Sequence, residues 1–173
     1  ANPFSIANYG RALQAYQATL VTPAPFDAFL AGNDAVLSEP AKRGLRTFVS
    51  SGCAGCHNGP LLGGTQMQKF GITRDYWLET KSEKIDLGRA AASKRDEDRY
   101  VFRVSMLRNI ARTAPYFHDG SVAKLDEAVR VMGVTQLARS LEPAAIADIV
   151  VFLESLTGAI PANYAPPGQP PRP

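Results

Sequence analysis

The sequence predicts an all-α fold of about five helices with a long irregular middle. Apolar residues recur at helical spacing in several segments, and these segments begin at serine or proline and end at glycine or proline. The 173 residues are 45% hydrophobic and 20% charged, a composition typical of globular proteins that bury one core. We therefore predict a single domain over residues 1–160 and a proline-rich tail over residues 161–173.

Two helices are predicted near the start of the chain, over Ala7–Leu20 and Phe26–Leu30. The first presents one apolar face, formed by Tyr9, Leu13, Tyr16 and Leu20. A third helix begins near Ser38 and Pro40, which favour helix starts. Gly44 lies inside this helix and costs about 1 kcal/mol relative to alanine, so we expect another helix to approach its backbone there.

The irregular middle covers Asn58–Arg103, a glycine-rich and then charged segment with little periodicity. Loops this long in compact domains are usually functional or disordered. Two further helices follow, one from the capping residue Ser121 to Gly133 and one from Glu142 to Gly158. The chain thus ends in an amphipathic helix before its proline-rich tail.

Charge and hydropathy exclude some classes of function. The formal net charge is +3 and the pI is about 9.0, a mild excess of scattered basic residues that does not predict nucleic-acid binding. The most apolar run, Ala145–Leu153, is too short to span a membrane. The first residues lack the basic and apolar segments of a secretory signal.

The motif CAGCH contains the only two cysteines, Cys53 and Cys56, followed directly by His57. A thioredoxin-like redox motif should follow a strand in a βαβ unit, whereas this motif follows a predicted helix. A zinc site needs about four ligands, and no second cluster of ligand residues exists. C-x-x-C-H is sufficient for a c-type haem anchor, in which both thiols bond to the porphyrin and the histidine binds its iron.

The helices on either side of the motif agree with a haem anchor. In class I c-type cytochromes, the helix before the motif crosses the C-terminal helix at a small residue and an aromatic residue. Gly44 and Phe152 are our candidates for that crossing. We therefore predict a class I cytochrome c-like domain with an added N-terminal helix and one covalent haem c. Because haem is attached outside the bacterial cytoplasm, we expect a processed, periplasmic chain.

The sixth iron ligand would decide what such a haem does. Methionine closes the iron and raises its reduction potential, a second histidine closes it at a lower potential, and an open position permits peroxide chemistry. The sequence offers four candidates: Met67, Met106, Met132 and His118. From spacing alone, Met132 and His118 are equally good, and a methionine on an apolar helical face is more often part of the core.

Three segments carry a more specific pattern: CAGCHNGPLLGG (Cys53–Gly64), FRVSMLRNIARTAPYF (Phe102–Phe117) and TAPYFHDGSVAKLDEAVRVM (Thr113–Met132). Together they resemble the C-terminal, high-potential haem domain of the bacterial dihaem cytochrome c peroxidase and MauG family. The resemblance extends over about Tyr9–Gly158. It departs from the family in having a single CxxCH, and in reading VSMLRN where the family usually has VPSLRN, so that Met106 competes with Met132.

The resemblance implies His/Met ligation by His57 and Met132, with Cys53 and Cys56 as thioether links. His118 matches a family histidine that does not bind this iron; it would tune the haem by hydrogen bonding, or fix the turn with Asp119. The resemblance also implies calcium at Thr113–Pro115. The family completes that site with an asparagine of the domain that this chain does not match.

Three functions follow from these expectations. The first is electron transfer by a closed His/Met haem that docks transiently with redox proteins. The alternative is a peroxidase, or a part of one, for which His118 and Asp119 are candidate acid/base groups. The third is an interaction module that binds a larger redox enzyme or associates with itself. No nucleic-acid partner and no membrane span are expected.

Overall fold

The computed structural model describes residues 3–20 and 22–160. The predicted tail over residues 161–173 lies outside the described residues. The order of helices and strands along the chain is α1 (Ile6–Ala18), α2 (Pro25–Leu30), α3 (Glu39–Ser50), β1 (Met67–Lys69), α4 (Tyr76–Thr80), α5 (Ala90–Ser93), β2 (Val101–Arg103), α6 (Leu125–Leu137) and α7 (Pro143–Glu154).

The core is organised by the crossing of α3 and α7. A Cβ placed on Gly44 would lie only 1.9 Å from the carbonyl oxygen of Asp148, so the two backbones touch at this glycine. The predicted aromatic partner, Phe152, does not meet Gly44 but packs one turn further along. Its fully buried ring lies 5.4 Å from the ring of Phe48 and 5.4 Å from that of Phe26. Gly44 is therefore the residue at which the helices cross, as predicted. Its partner is the backbone of α7 at Asp148, and not the ring of Phe152.

The predominance of helices is as predicted, but a strictly all-α fold is not confirmed, because the irregular middle contains a two-stranded antiparallel sheet. Its register pairs Met67 with Arg103, Gln68 with Phe102 and Lys69 with Val101. Three-residue strands are too short to give a readable alternation, and their partners lie far apart in the chain. We call this pair of strands, β1 and β2, the ribbon. It forms because the backbone N–H and C=O groups of a folded loop need hydrogen-bond partners.

Helix α6 is shifted relative to the predicted Ser121–Gly133. The amide of Tyr116 donates to the carbonyl of Val122 at 2.7 Å, a bridge that holds the segment before Leu125 extended. Gly133 does not end the helix but lies inside it, where a Cβ would be 2.9 Å from the carbonyl oxygen of Arg139. As a result, Met132 is in the interior of α6 rather than at its end.

Helix α1 forms close to the predicted span, but its apolar face is uncovered. No residue of α1 is buried, and Tyr9 and Tyr16 keep 68% and 58% of their surface exposed. Helices of this length are marginal in water by themselves and are usually stabilised by packing an apolar face. The exposed stripe is therefore available to another surface.

Asp27 joins α2 to the segment that follows β2. Its carboxylate accepts from the amide of Ala24 at 2.8 Å and from both terminal nitrogens of Arg108 at 2.9 and 2.7 Å. Burial by itself would raise the pKa of Asp27, but the Ala24 amide and the Arg108 guanidinium outweigh it and hold that pKa below its ordinary value.

We expect Asp27 to contribute to the acid sensitivity of the fold. Because its folded-state pKa is lowered, its contribution is complete above the unfolded-state pKa of about 3.9 and is lost as pH falls through the folded-state value. Asp27→Asn should therefore flatten the decline of Tm between about pH 5 and pH 3. Asp34→Asn is the control, since that ion-paired carboxylate is 76% exposed. Equal slopes in wild type and Asp27→Asn would contradict the expectation.

Candidate functional site

The predicted site residues meet in one apolar cleft. Cys53, Cys56, His57, His118 and Met132 all contribute to its lining. Most of the remaining wall is apolar and comes from α6, α7, the ribbon formed by β1 and β2, the residue after β1 and the end of α3: Phe48, Phe70, Phe102, Leu125, Ala128, Val129, Ile149 and Leu153. Polar side chains also line it: Gln68, Arg103, Ser105 and Gln136. The cleft has a volume of about 270 Å³, close to the lower end of the ~300–1000 Å³ of ordinary small-molecule pockets.

The local backbone brings the CAGCH side chains together. Gly52 has a φ of 101°, a left-handed conformation that ends α3 and turns the chain. A tight 3₁₀ turn follows over Cys53–Gly55, and the amide of His57 donates to the carbonyl of Cys53 at 2.9 Å. Both thiols are free, and burial raises the pKa of Cys53, so that thiol is protonated at neutral pH.

His57 is oriented by two backbone carbonyls. Its Nδ1 lies 3.3 Å from the oxygen of Leu62 and 3.2 Å from that of Ser105. Both partners are acceptors, so Nδ1 carries the proton and Nε2 keeps its lone pair. Burial lowers the pKa of His57 despite these carbonyls, which raise it, and therefore favours neutral imidazole. Neutral imidazole with a fixed tautomer is the form that binds a metal ion.

Gly63 makes the second of these contacts possible. Its φ is 131°, and a Cβ there would lie 2.2 Å from the carbonyl oxygen of Ser105, the acceptor for His57. The segment around Leu62 can therefore close on the Ser105 backbone only with glycine at this position. The glycine-rich composition of this segment is visible in the sequence, but its role in placing the acceptor for His57 is not.

Of the three methionines, only Met132 is among the residues lining the cleft in the part of the chain that the structure describes. Met67 and Met106 are 45% and 44% exposed. Met132 is half-buried on α6, where it packs against the cluster of Phe70, Tyr76 and Val131. The tertiary structure thus separates the candidates that spacing alone left open.

Gln136 is a positioning residue that the sequence did not reveal. It lies one turn beyond Met132, and its Oε1 accepts from the amides of Gly71 at 2.7 Å and Ile72 at 3.2 Å. Its Nε2 donates to the carbonyl of Lys69 at 3.0 Å. These bonds fix α6 against the chain that follows β1, and with it the position of Met132. A glutamine in a helix carries no sequence signal for such a role.

His118 lies against the ribbon rather than in a hydrogen-bond network. Its ring stacks on Phe102 at 4.1 Å and meets the edge of Tyr76 at 5.3 Å. Over residues 3–20 and 22–160, no hydrogen bond of the ring is found. The turn is instead fixed by Asp119, which accepts from the hydroxyl of Ser82 and the amide of Ser121.

Asp119 is held as a carboxylate. Burial by itself would raise the pKa of Asp119. The hydrogen bonds from Ser82 and Ser121 lower that pKa by more than burial raises it, so the net shift is downward. A carboxyl group with a lowered pKa is a poor proton donor at neutral pH.

An aromatic cluster builds the wall of the cleft from the irregular middle, where no periodicity predicted it. Tyr76 is completely buried at its centre, stacked 4.7 Å from Phe70, and its hydroxyl donates to the carbonyl of Asp86 at 3.1 Å. Trp77 and Tyr100 extend the cluster towards the surface, with ring centroids 4.9 Å apart.

The donor set of the cleft fits a c-type haem. It combines two free thiols and an imidazole from one turn, a thioether from another helix, and an apolar lining. Among the described residues there is no group of three or more His, Cys, Asp and Glu that could hold a metal ion by themselves. None of the helices in that part of the chain is long and apolar enough to cross a membrane.

Comparison with known proteins connects the cleft to a family. No protein-family model matches the chain. The cytochrome c551 peroxidase of Pseudomonas aeruginosa is 46% identical over 162 residues, which are 92% of this chain, and that of Nitrosomonas europaea is 43% identical over 87% of it. The chain is a homologue of the bacterial cytochrome c peroxidases. It spans 46% and 44% of these two relatives, so it matches about half of their length.

Solved structures in the same family share the fold. A MauG-like protein associated with microbial copper homeostasis superposes with a TM-score of 0.69 at 25% identity, covering 90% of this chain and 58% of that one. A variant of a dihaem peroxidase from Burkholderia thailandensis superposes with a TM-score of 0.62 at 21% identity, covering 84% of this chain and 48% of its own. The curated relatives therefore support the resemblance that the sequence motifs carry, and the solved structures support the fold.

Proposed function

We propose that the chain is an electron-transferring haem domain of a cytochrome c peroxidase-type oxidoreductase. One haem c would be bonded to Cys53 and Cys56 and ligated by His57 and Met132. The observation that carries the proposal is the fixed imidazole of His57, whose Nε2 is left free beside a cleft that Met132 also lines. Three relatives at 38–46% identity are named cytochrome c peroxidases, and their names support this class of enzyme.

In this proposal the protein's residues set the properties of the site. A bound haem supplies a one-electron redox couple. Cys53 and Cys56 fix its edge, and His57 is held in one tautomer by the Leu62 and Ser105 carbonyls. The thioether of Met132 would be the second protein ligand of the iron and would favour the ferrous state, and the apolar lining would keep water away from it. Ligands that stay in place between oxidation states suit rapid electron transfer.

Reduction of peroxide within this cleft is the second candidate. It is favoured by the relatives' names and by His118, which lines the cleft. It needs Met132 off the iron and a proton donor near the bound peroxide. Asp119 suits that role poorly because its pKa is lowered. We therefore propose that this domain passes electrons within a peroxidase rather than cleaving peroxide itself.

The uncovered face of α1 supports a role within a larger assembly. Exposed apolar stripes often mark a contact with another protein surface, and the relatives are about twice as long as this chain. A second domain, a partner enzyme or a second copy of the chain would cover it.

We propose a periplasmic location, because c-type haem is attached there. Calcium at Thr113–Pro115 remains a prediction.

The absorption spectrum of the haem-loaded ferric protein tests the proposal. We expect a low-spin spectrum with the weak far-red charge-transfer band of thioether sulfur on ferric haem, full reduction by ascorbate, and little peroxide turnover. A high-spin spectrum with rapid peroxide turnover would instead show an open iron, and the second candidate would replace the first.

A further inference from the structure

The chain between His57 and the ribbon supplies one of the two carbonyls that orient His57. The carbonyl oxygen of Leu62 lies 3.3 Å from Nδ1 of the imidazole. Leu62 has a φ of 49°, in the left-handed region that residues other than glycine rarely adopt. Such a strained conformation persists only where the surrounding structure holds it in place. The position of this carbonyl therefore depends on what fixes the residues beside Leu62.

Two consecutive residues of the segment after β2 fix the chain just before Leu62. The amide of Leu107 donates to the carbonyl of Leu61 at 3.2 Å. Nε of Arg108 donates to the carbonyl of Pro60 at 3.0 Å. The first bond joins backbone groups, so any residue except proline can make it at position 107. The second bond depends on the side chain of Arg108, and it is the one that a substitution can remove.

Arg108 is itself held by α2. Its two terminal nitrogens donate to the carboxylate of Asp27 at 2.9 and 2.7 Å, and its guanidinium carbon lies 5.7 Å from the centre of the Phe26 ring. Only 15% of the Arg108 side chain is exposed. A two-bond contact between arginine and a carboxylate fixes direction as well as distance. One guanidinium thus connects α2 to Pro60, two residues before the carbonyl that accepts from His57.

We propose that Arg108 is a positioning residue that holds the Leu62 carbonyl on Nδ1 of His57 and thereby lowers the reduction potential of the bound haem. This inference deepens the proposed function and rests on it, since it takes His57 as an iron ligand. An acceptor on Nδ1–H makes the imidazole a stronger electron donor to a metal ion, and a stronger donor favours ferric over ferrous iron. Asp27 acts one step further away, because it fixes the guanidinium.

Arg108→Lys is the first test, carried out on the haem-loaded protein. Lysine keeps the charge beside Asp27, but one ammonium group cannot reproduce the planar fork that reaches Asp27 and Pro60 together. In the ferrous protein, the Nδ1–H proton of His57 should exchange with solvent about fivefold faster, as measured by NMR of 15N-labelled protein. The equilibrium constant for reduction of the haem should rise about threefold in a redox titration.

Asp27→Asn is a second and milder variant. It leaves Arg108 in place but replaces its charged anchor with a neutral amide. Proton exchange at His57 and the reduction potential should therefore change in the same direction as in Arg108→Lys, and by less. If Arg108→Lys does not fold, Asp27→Asn decides, and wild-type values of both quantities in this variant would contradict the inference.

Arg43→Lys is the matched control. Arg43 also donates two hydrogen bonds to a carboxylate that is distant in the chain, at 2.8 Å each to Asp148, but this pair joins α3 to α7. The substitution should leave proton exchange at His57 and the reduction potential as in wild type, even where it lowers Tm. If Arg108→Lys lowers Tm but changes neither quantity, Arg108 serves stability alone and the inference is overturned. Equal shifts in Arg43→Lys and Arg108→Lys would also overturn it, since a general loosening of the fold would explain them.

The positioning inference and the proposed function can fail separately. If wild type has the low-spin His/Met spectrum but Arg108→Lys leaves exchange and potential unchanged, only the positioning inference is wrong. If the wild-type spectrum is high-spin, the proposed function is wrong. Arg108 is then judged by the reduction potential alone, which depends on His57 but needs no sixth ligand.

Discussion

Gly44→Ala is expected to destabilise the protein by about 3 kcal/mol or more. The new Cβ would lie 1.9 Å from the carbonyl oxygen and 2.4 Å from the carbonyl carbon of Asp148. These are backbone atoms of α7, so no side chain can rotate away, and the two helices must separate. Separation would open the core around Phe48 and Phe152 and move the start of the CAGCH turn. Chemical denaturation of the haem-loaded protein measures the loss.

Gly10→Ala is the matched control for this prediction. Gly10 is also in a helix, but a Cβ there meets nothing within 4 Å. Alanine should therefore leave stability unchanged or raise it by up to about 1 kcal/mol through helix propensity. If Gly44→Ala were as stable as Gly10→Ala, the close crossing of α3 and α7 would be disproved.

Met132→Ala is expected to abolish the far-red charge-transfer band of the ferric haem-loaded protein and to lower its reduction potential. The reason is that, in the proposed site, alanine would remove the thioether that binds the iron and favours its ferrous state. Because Met132 is half-buried at the cleft, the substitution should leave space for water or a small exogenous ligand at the iron. Absorption spectroscopy and a redox titration measure both effects.

Met67→Ala and Met106→Ala serve as controls for Met132→Ala. Both residues are nearly half exposed and neither lines the cleft, so the band and the potential should stay close to those of wild type. A band that survived in Met132→Ala and disappeared in Met106→Ala would identify Met106 as the ligand.

How well a feature could be predicted from the sequence depends on how close together in the chain its residues are. The turn that gathers Cys53, Cys56 and His57 is specified by neighbouring residues, and hence the motif could be read directly. The helices were predicted well where a cap and an apolar face coincide, as in α3, which begins after Ser38. Helix α6 was misplaced because the bridge between Tyr116 and Val122 holds the chain extended past Ser121 and overrides the serine start signal.

The wall of the cleft could not be predicted for a different reason. Phe70, Phe102 and His118 come from segments without periodicity, and only the folded chain brings their rings together at the cleft. Gln136 likewise bonds backbone groups that are distant in the chain. Neither kind of contact leaves a pattern at fixed spacing.

The sequence by itself determined the family, the CAGCH anchor and the glycine at which the core helices cross, because each depends on residues adjacent in the chain or on backbone space at one position. Only the tertiary structure decided that Met132 and not Met67 or Met106 lines the cleft, that His57 is oriented by Leu62 and Ser105, and that the pairing of β1 with β2 forms one wall of the cleft. These features arise from long-range packing, in which the position of each side chain depends on the whole fold.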